Sequence, residues 1–247
     1  MSIFGKLDFT SLTPTEKAIY NYLQDHIKEI PSSSIRQISA GSYAGTASVM
    51  RLIHKMNYKS FNDFKNFVKQ TQKDNEPSSD FFNSLSIDIY PSNLLQKLEV
   101  LTEMILHSEN ILFFGVGASG ATATLATRYL ANLGVPGVFS LQDASWPIAK
   151  QLQNVADTLV IILSVSGETS EVLEAMAGMR KNADTKIAVI TANPSSEAAL
   201  LSDIFISYQI NEWHVNFSDD MTSQIPAMFI SEKLAKAVYK RLKELIK

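Results

Sequence analysis

The residues best suited to chemistry in this chain sit in two short corners. Ser164-Val165-Ser166-Gly167-Glu168-Thr169 follows an apolar run, 158–163, and precedes an amphipathic stretch that starts near Ser170. Three hydroxyl side chains and a glycine therefore fall where a strand passes into a helix N-terminus. A corner of that kind binds anions through backbone N–H groups and the positive end of the helix dipole. The second corner, Gly115-Val116-Gly117-Ala118-Ser119-Gly120, follows the apolar run 111–114. Gly115 and Gly117 let backbone approach a ligand closely, and Ser119 supplies a hydroxyl. Ser164, Ser166 and Thr169, with the N–H groups around Gly167, can surround a phosphate without any Arg or Lys. Two hydroxyl-lined corners on one parallel sheet suggest a phosphorylated, polyhydroxylated small molecule.

Two other readings of the corners stand beside that one. The glycine spacing in 115–120 also fits the dinucleotide fingerprint, with Asp143 roughly 20 residues on, where a ribose-binding acid belongs. That reading leaves the hydroxyl triad at 164–169 unexplained. The other alternative is a pair of ordinary tight turns with solvent-facing serines.

Aldose–ketose isomerisation would need an acid and a base beside the sugar carbons. The candidates are Asp143, Glu168, Glu212, His214 and Asp219. Glu168 belongs to the corner itself, where its carboxylate favours the adjacent helix N-terminus. No two of these groups are paired by their spacing, and binding alone needs only the corners. The expectation is a site with no catalytic residue.

Around the corners, apolar runs alternate with helical periodicity. Strands are expected at 111–115, 138–140, 159–164, 187–191 and 204–208, with helices at about 94–105, 119–133, 148–152, 170–180, 196–201 and 222–245. Continuous apolar strands alternating with helices indicate a parallel sheet covered on both faces. In such a sheet, ligands sit outside the strand C-termini, where the strand order reverses.

Residues 1–73 read differently, as short helices only. Thr13-Pro14-Thr15-Glu16 is a capping box with proline at the first helical position. Ile19, Tyr22, Leu23, His26 and Ile27 then share one face, and Pro31 is expected to end that helix. A second helix follows Ser34, with Ile35 and Ile38 inward. After a break at 41–45, a third runs from Thr46 to about Met56, burying Val49, Leu52, Ile53 and Met56. Phe61, Phe64, Phe67 and Val68 mark a fourth. Residues 34–56 have helix-turn-helix proportions. Thr46, Ser48, Arg51, His54 and Lys55 lie opposite the apolar stripe of the third helix, where they are the candidates for touching DNA bases and phosphates. Periodicity and charge fit a small helical dimerisation domain equally well.

Charge and composition bound the rest. The 247 residues carry a net charge of −3. Residues 1–75 hold 10 Lys/Arg against 6 Asp/Glu, giving +4, and the remainder hold 12 against 19, giving −7. A basic first third on an acidic remainder suits a nucleic-acid-binding module joined to a different domain. Cysteine is absent, which excludes disulfides and thiolate metal chemistry and points to a reducing cytoplasm. The four histidines lack metal-ligand spacing, so no metal is expected. No 18-residue apolar run exists, and residues 1–10 lack the basic start and apolar centre of a signal peptide, so no membrane is expected. The stretch 71–91, with Pro77 and Pro91, reads as a linker, with Phe81, Phe82, Ile87 and Ile89 available to dock on a neighbour.

Taken together, 114–120, 164–172 and Ile190-Thr191-Ala192-Asn193-Pro194-Ser195 resemble the SIS (sugar isomerase) domain. Residues 12–16, 34–38, 51–55 and 58–65 resemble the N-terminal domain of RpiR-type transcriptional regulators, which carry an SIS domain after it. Two positions depart from that pattern: Tyr43 stands where glycine is usual, and Gly45 where a serine N-cap is usual. A non-glycine residue adopts a left-handed turn poorly, so an altered turn is expected, with Thr46 as an alternative cap. The resemblance implies an all-α helix-turn-helix domain (1–73), a linker (74–91) and an α/β SIS domain (92–247), a three-layer sandwich on a five-stranded parallel sheet. It implies that Gly117, Ser119, Ser164, Ser166, Gly167 and Thr169 hold a phosphosugar, that no cofactor is needed, and that a homodimer or higher oligomer reads a double-stranded operator in the cytoplasm. The competing reading is a phosphosugar isomerase with a helical oligomerisation domain. A regulator that has lost its DNA contacts and binds another protein is the third.

Overall fold

The computed structural model describes residues 11–56, 58–74, 85–213 and 220–245. The expectations for residues 1–10, Phe81, Phe82, His214 and Asp219 lie outside that set. The backbone divides into two compact units, Met1–Ser79 with Asn211–Thr222, and Asp80–Ile210 with Ser223–Lys247.

In the first unit, α1 (Pro14–Asp25) opens on the capping box. The Glu16 N–H donates to Thr13 Oγ1 at 3.3 Å, and the Thr13 N–H donates to Glu16 Oε2 at 2.8 Å. Two otherwise orphan donors are satisfied by each other's residue. The helix ends at Asp25, earlier than Pro31 suggests, because a 3₁₀ turn over Ile27–Ser32 takes up the proline. Its fixed φ is tolerated in so short a turn. A second capping box, Ser34 with Gln37, starts α2 (Ile35–Gly41). Then come α3 (Thr46–Lys55) and α4 (Phe61–Asp74). Ile19, Leu23, Ile38, Val49, Leu52, Ile53, Met56, Phe64 and Val68 form the shared core. Helix α4 overruns the expected linker start at Thr71, since no helix breaker occurs before Pro77. Further along the expected linker, Ile87 is exposed rather than docked, whereas the Ile89 carbonyl accepts the Gln209 N–H at 2.8 Å.

The second unit runs α5 (Leu94–Leu106), β1 (Asn110–Phe114), α6 (Ala118–Asn132), β2 (Val138–Leu141), α7 (Ile148–Gln151), β3 (Thr158–Leu163), α8 (Ser170–Met179), β4 (Thr185–Thr191), α9 (Glu197–Leu201), β5 (Ile204–Ser207) and α10 (Ile225–Leu245). Helix α10 starts three residues later than its periodicity suggests. The five strands are all parallel, in the order β2-β1-β3-β4-β5. Alternate strand residues feed two cores. Phe113, Ile161 and Ile190 face α5, α6 and α10, while Phe114, Ile162 and Val189 face α7, α8 and α9. The result is the three-layer sandwich on a five-stranded parallel sheet that the sequence predicts. Among the described residues, no helix is long and apolar enough to cross a membrane.

Candidate functional site

The strand order fixes where the two corners lie. Strands β1 and β3 are neighbours, and their pairing runs Asn110↔Thr158 to Phe114↔Ile162. One step further, both chains leave the sheet at the same edge, through 115–120 and 164–169. From β1 the chain crosses by α6 to β2 on one side; from β3 it crosses by α8 to β4 on the other. This is the switch point of the sheet, and α6 and α8 begin there on opposite faces.

The second corner is tightly built. Ser164 Oγ accepts the Gly167 N–H at 3.2 Å and lies 3.3 Å from Thr169 Oγ1. Ser166 Oγ accepts the Glu168 N–H at 3.2 Å. Gly167 has φ +63°, and a Cβ there would meet Ser196 Oγ at 2.1 Å and Thr191 Oγ1 at 3.0 Å. Only glycine fits both the conformation and the space. Thr191 Oγ1 in turn donates to the Val165 carbonyl at 3.0 Å, and the Ala198 N–H donates to the Gly167 carbonyl at 3.1 Å. The turn after β4 thus forms the floor of the corner. Thr169 is the N-cap of α8, yet its side chain makes no capping bond to that helix.

In the first corner, Gly117 is the N-cap of α6 at φ +61°, ψ −129°, a conformation open to little but glycine. Ser119, buried in the first turn of α6, donates to Gln224 Oε1 at 3.3 Å, and Thr122 donates to the same oxygen at 3.4 Å. Gln224 sits immediately before α10 and joins this corner from more than a hundred residues away. No motif in the sequence marks it. The four hydroxyl and two glycine positions singled out from sequence therefore divide between two corners on adjacent strands.

The titratable candidates are placed otherwise. Glu168 is the one ionisable residue in either corner. Its Oε1 accepts the Glu197 N–H at 2.8 Å, so it caps α9. Asp143 is exposed and accepts the Ser145 hydroxyl and N–H, which hold its carboxyl below the usual range. Among the described residues, no group of His, Asp and Glu is arranged to hold a metal ion.

The helix-turn-helix candidates lie on α3 of the first unit. Thr46, Arg51, His54 and Lys55 are exposed and Ser48 is half-buried, all outside the stripe of Val49, Leu52 and Ile53. Arg51 folds back along its own helix, donating to Ser48 Oγ at 3.1 Å and the Ala47 carbonyl at 3.4 Å. Lys55 is otherwise engaged: its Nζ lies 2.8 and 3.0 Å from the two oxygens of Glu16. Lys55 and the Thr13 N–H together hold the Glu16 carboxyl at about 2. The lysine read as a candidate for DNA therefore ties α3 to α1. Two expectations for the turn are corrected as well. Tyr43 does adopt the left-handed conformation, at φ 52°, and Gly45 remains the N-cap of α3, with Thr46 its first helical residue.

Comparison with known proteins agrees with this architecture. The family description "Helix-turn-helix domain, rpiR family" matches residues 7–75, and "SIS domain" matches residues 104–235. The chain belongs to the RpiR family of SIS-domain proteins. An uncharacterized HTH-type transcriptional regulator of Clostridium perfringens is 24% identical, over 93% of this chain and 88% of its own length. The uncharacterized regulator YbbH of Bacillus subtilis is 25% identical, over 90% and 84%. Among solved structures, Vibrio vulnificus NanR complexed with ManNAc-6P superposes with a TM-score of 0.60 at 18% identity, covering 95% of this chain and 89% of NanR. The sugar isomerase domain of an RpiR transcription factor from Sphaerobacter thermophilus gives 0.53 at 18% identity, covering 72% of this chain and 91% of that one. In this RpiR-family chain the SIS match contains both corners and Gln224, and the helix-turn-helix match contains α1 to α4.

Proposed function

We propose that this RpiR-family protein is a cytoplasmic regulator of carbohydrate metabolism genes, which binds operator DNA through α3 and senses a sugar phosphate at the switch point of its sheet. The observation that carries this reading is the pair of corners. They leave adjacent strands at one edge of the sheet, each leading into a helix N-terminus and each carrying hydroxyl side chains, an arrangement that suits a phosphate ester and its neighbouring hydroxyls. A phosphate held by Ser164, Ser166, Gly167 and Thr169 would leave the sugar hydroxyls toward Gly117 and Ser119. NanR, of similar fold, was solved with ManNAc-6P, which supports the ligand class.

Glu168, the one acid within the corners, accepts the Glu197 N–H and so caps α9, and this favours binding over turnover. A homodimer would present two copies of α3 to a pseudo-palindromic operator. The effector must then bind better to one arrangement of those helices than to the other.

The test is a thermal-shift screen of the full-length protein against a panel of sugar phosphates, with Ser166→Trp in parallel. At least one compound should raise the wild-type Tm, and the variant should lose that rise. A hit should also change retention of operator DNA. Conversion of the hit to its ketose or aldose isomer by purified protein would overturn the sensor reading.

A further inference from the structure

The turn between α2 and α3 holds a residue whose folding cost brings no packing in return. Tyr43 sits at φ 52°, a conformation that is an outlier for a bulky side chain. It is also 98% exposed, so its ring contributes almost nothing to the core. The turn itself is well fixed without that ring. The Ala44 N–H donates to the Ser39 carbonyl at 3.0 Å, the Ser39 hydroxyl donates to the Ala44 carbonyl, and the buried Ser42 hydroxyl donates to the Ile38 carbonyl at 2.7 Å. Glycine would satisfy the same backbone without strain. A large aromatic, strained and fully projected into solvent, has its use outside the folded chain.

In a helix-turn-helix, the first helix crosses the DNA backbone and the second enters the major groove, so the turn between them runs beside the phosphates. We propose that Tyr43 is a DNA-backbone contact: its phenol donates a hydrogen bond to a phosphate oxygen while its ring packs on the adjoining deoxyribose. Thr46 and Arg51, which follow on α3, are exposed as well. Gly45 leaves the space beside the α3 N-terminus open, with nothing within 4 Å of its missing side chain. This inference rests on the DNA-binding reading above and assigns to it a residue outside α3.

The chemistry gives the contact a signature. A neutral phenol releases no counterion, so its loss weakens binding without changing the salt slope. The probe is the duplex that the full-length wild-type protein selects from a random-sequence DNA pool. Tyr43→Gly should have a Tm equal to or above that of wild type, bind the duplex about ten-fold more weakly, and keep the wild-type slope of log K against log salt. Tyr43→Phe should fold as wild type and recover only part of the loss. Tyr43→Gly binding as tightly as wild type, or Tyr43→Phe binding as weakly as Tyr43→Gly with a reduced slope, would overturn the contact. Failure of the wild-type protein to select any duplex would instead remove the DNA-binding reading, and this inference with it.

Discussion

Gly167 and Gly45 both sit in turns that lead into a helix, and the structure gives them opposite reasons. At Gly167 the left-handed backbone and the 2.1 Å approach to Ser196 Oγ leave no room for a side chain. Ser196 has no freedom to yield, because it is fully buried and its hydroxyl accepts the Ala199 N–H at the start of α9. Gly167→Ala is therefore expected to cost about 2–4 kcal/mol, combining backbone strain with overpacking. Gly45 is extended, at φ −73°, ψ 149°, with open space around it, and caps α3 with no side-chain bond. Gly45→Ser should add that bond and stabilise by a few tenths of a kcal/mol. Denaturant midpoints of the two variants against wild type check both signs. Equal midpoints for Gly167→Ala and wild type would mean that the corner relaxes and is no rigid cradle.

At the scale of elements, the ion pair between Glu16 and Lys55 joins α1 to α3 across 39 residues of sequence. Glu16 is held at about 2, below its ordinary 4.5. A carboxyl depressed in the folded state stabilises it fully above its unfolded pKa, and that contribution is lost as pH falls through the folded value. The stability difference between wild type and Glu16→Gln should thus be constant above about pH 4.5 and shrink toward zero near pH 2. Unfolding midpoints of both proteins between about pH 7 and pH 2 measure it, and a pH-independent difference would exclude the pair as its source. The pair also shows where sequence stops being informative. Capping boxes, the apolar stripe of α3 and the alternation of strands with helices are local patterns, so they can be read directly. The partners of Lys55 and Glu168 lie 39 and 29 residues away, and Gln224 reaches Ser119 across 105. Only the fold creates those bonds. Local chemistry alone makes Lys55 a candidate for DNA, and sets Glu168 on the nearer helix terminus. The overrun of α4 past Thr71 has a related cause: polar composition reads as linker, although Gln70, Gln72 and Lys73 are good helix formers that extend a helix already anchored by Phe64 and Val68.

For the whole molecule, the consequence is a sparse cationic interface. The first 75 residues have an excess of only four positive charges, and Lys55 spends its charge largely on Glu16. Nonspecific attraction to DNA should therefore be weak, with few phosphates neutralised per module. Among the described residues, Arg51 is held by bonds along its own helix, at 3.1 and 3.4 Å, and it can exchange these for a base edge or a phosphate. Arg51→Ala should weaken binding of the selected duplex and, if the contact is to a phosphate, lower the magnitude of the salt slope by about 1. Contact with a guanine edge would instead relax sequence preference at one position, by about 1–3 kcal/mol. Lys55→Ala should act differently, lowering the thermal stability of the helical unit through the stranded Glu16 carboxylate. Binding isotherms of the two variants at several salt concentrations separate these roles. If Lys55→Ala changed the slope as much as Arg51→Ala while leaving stability intact, the lysine would leave Glu16 for DNA on binding, and the tie between α1 and α3 would itself be part of the recognition step.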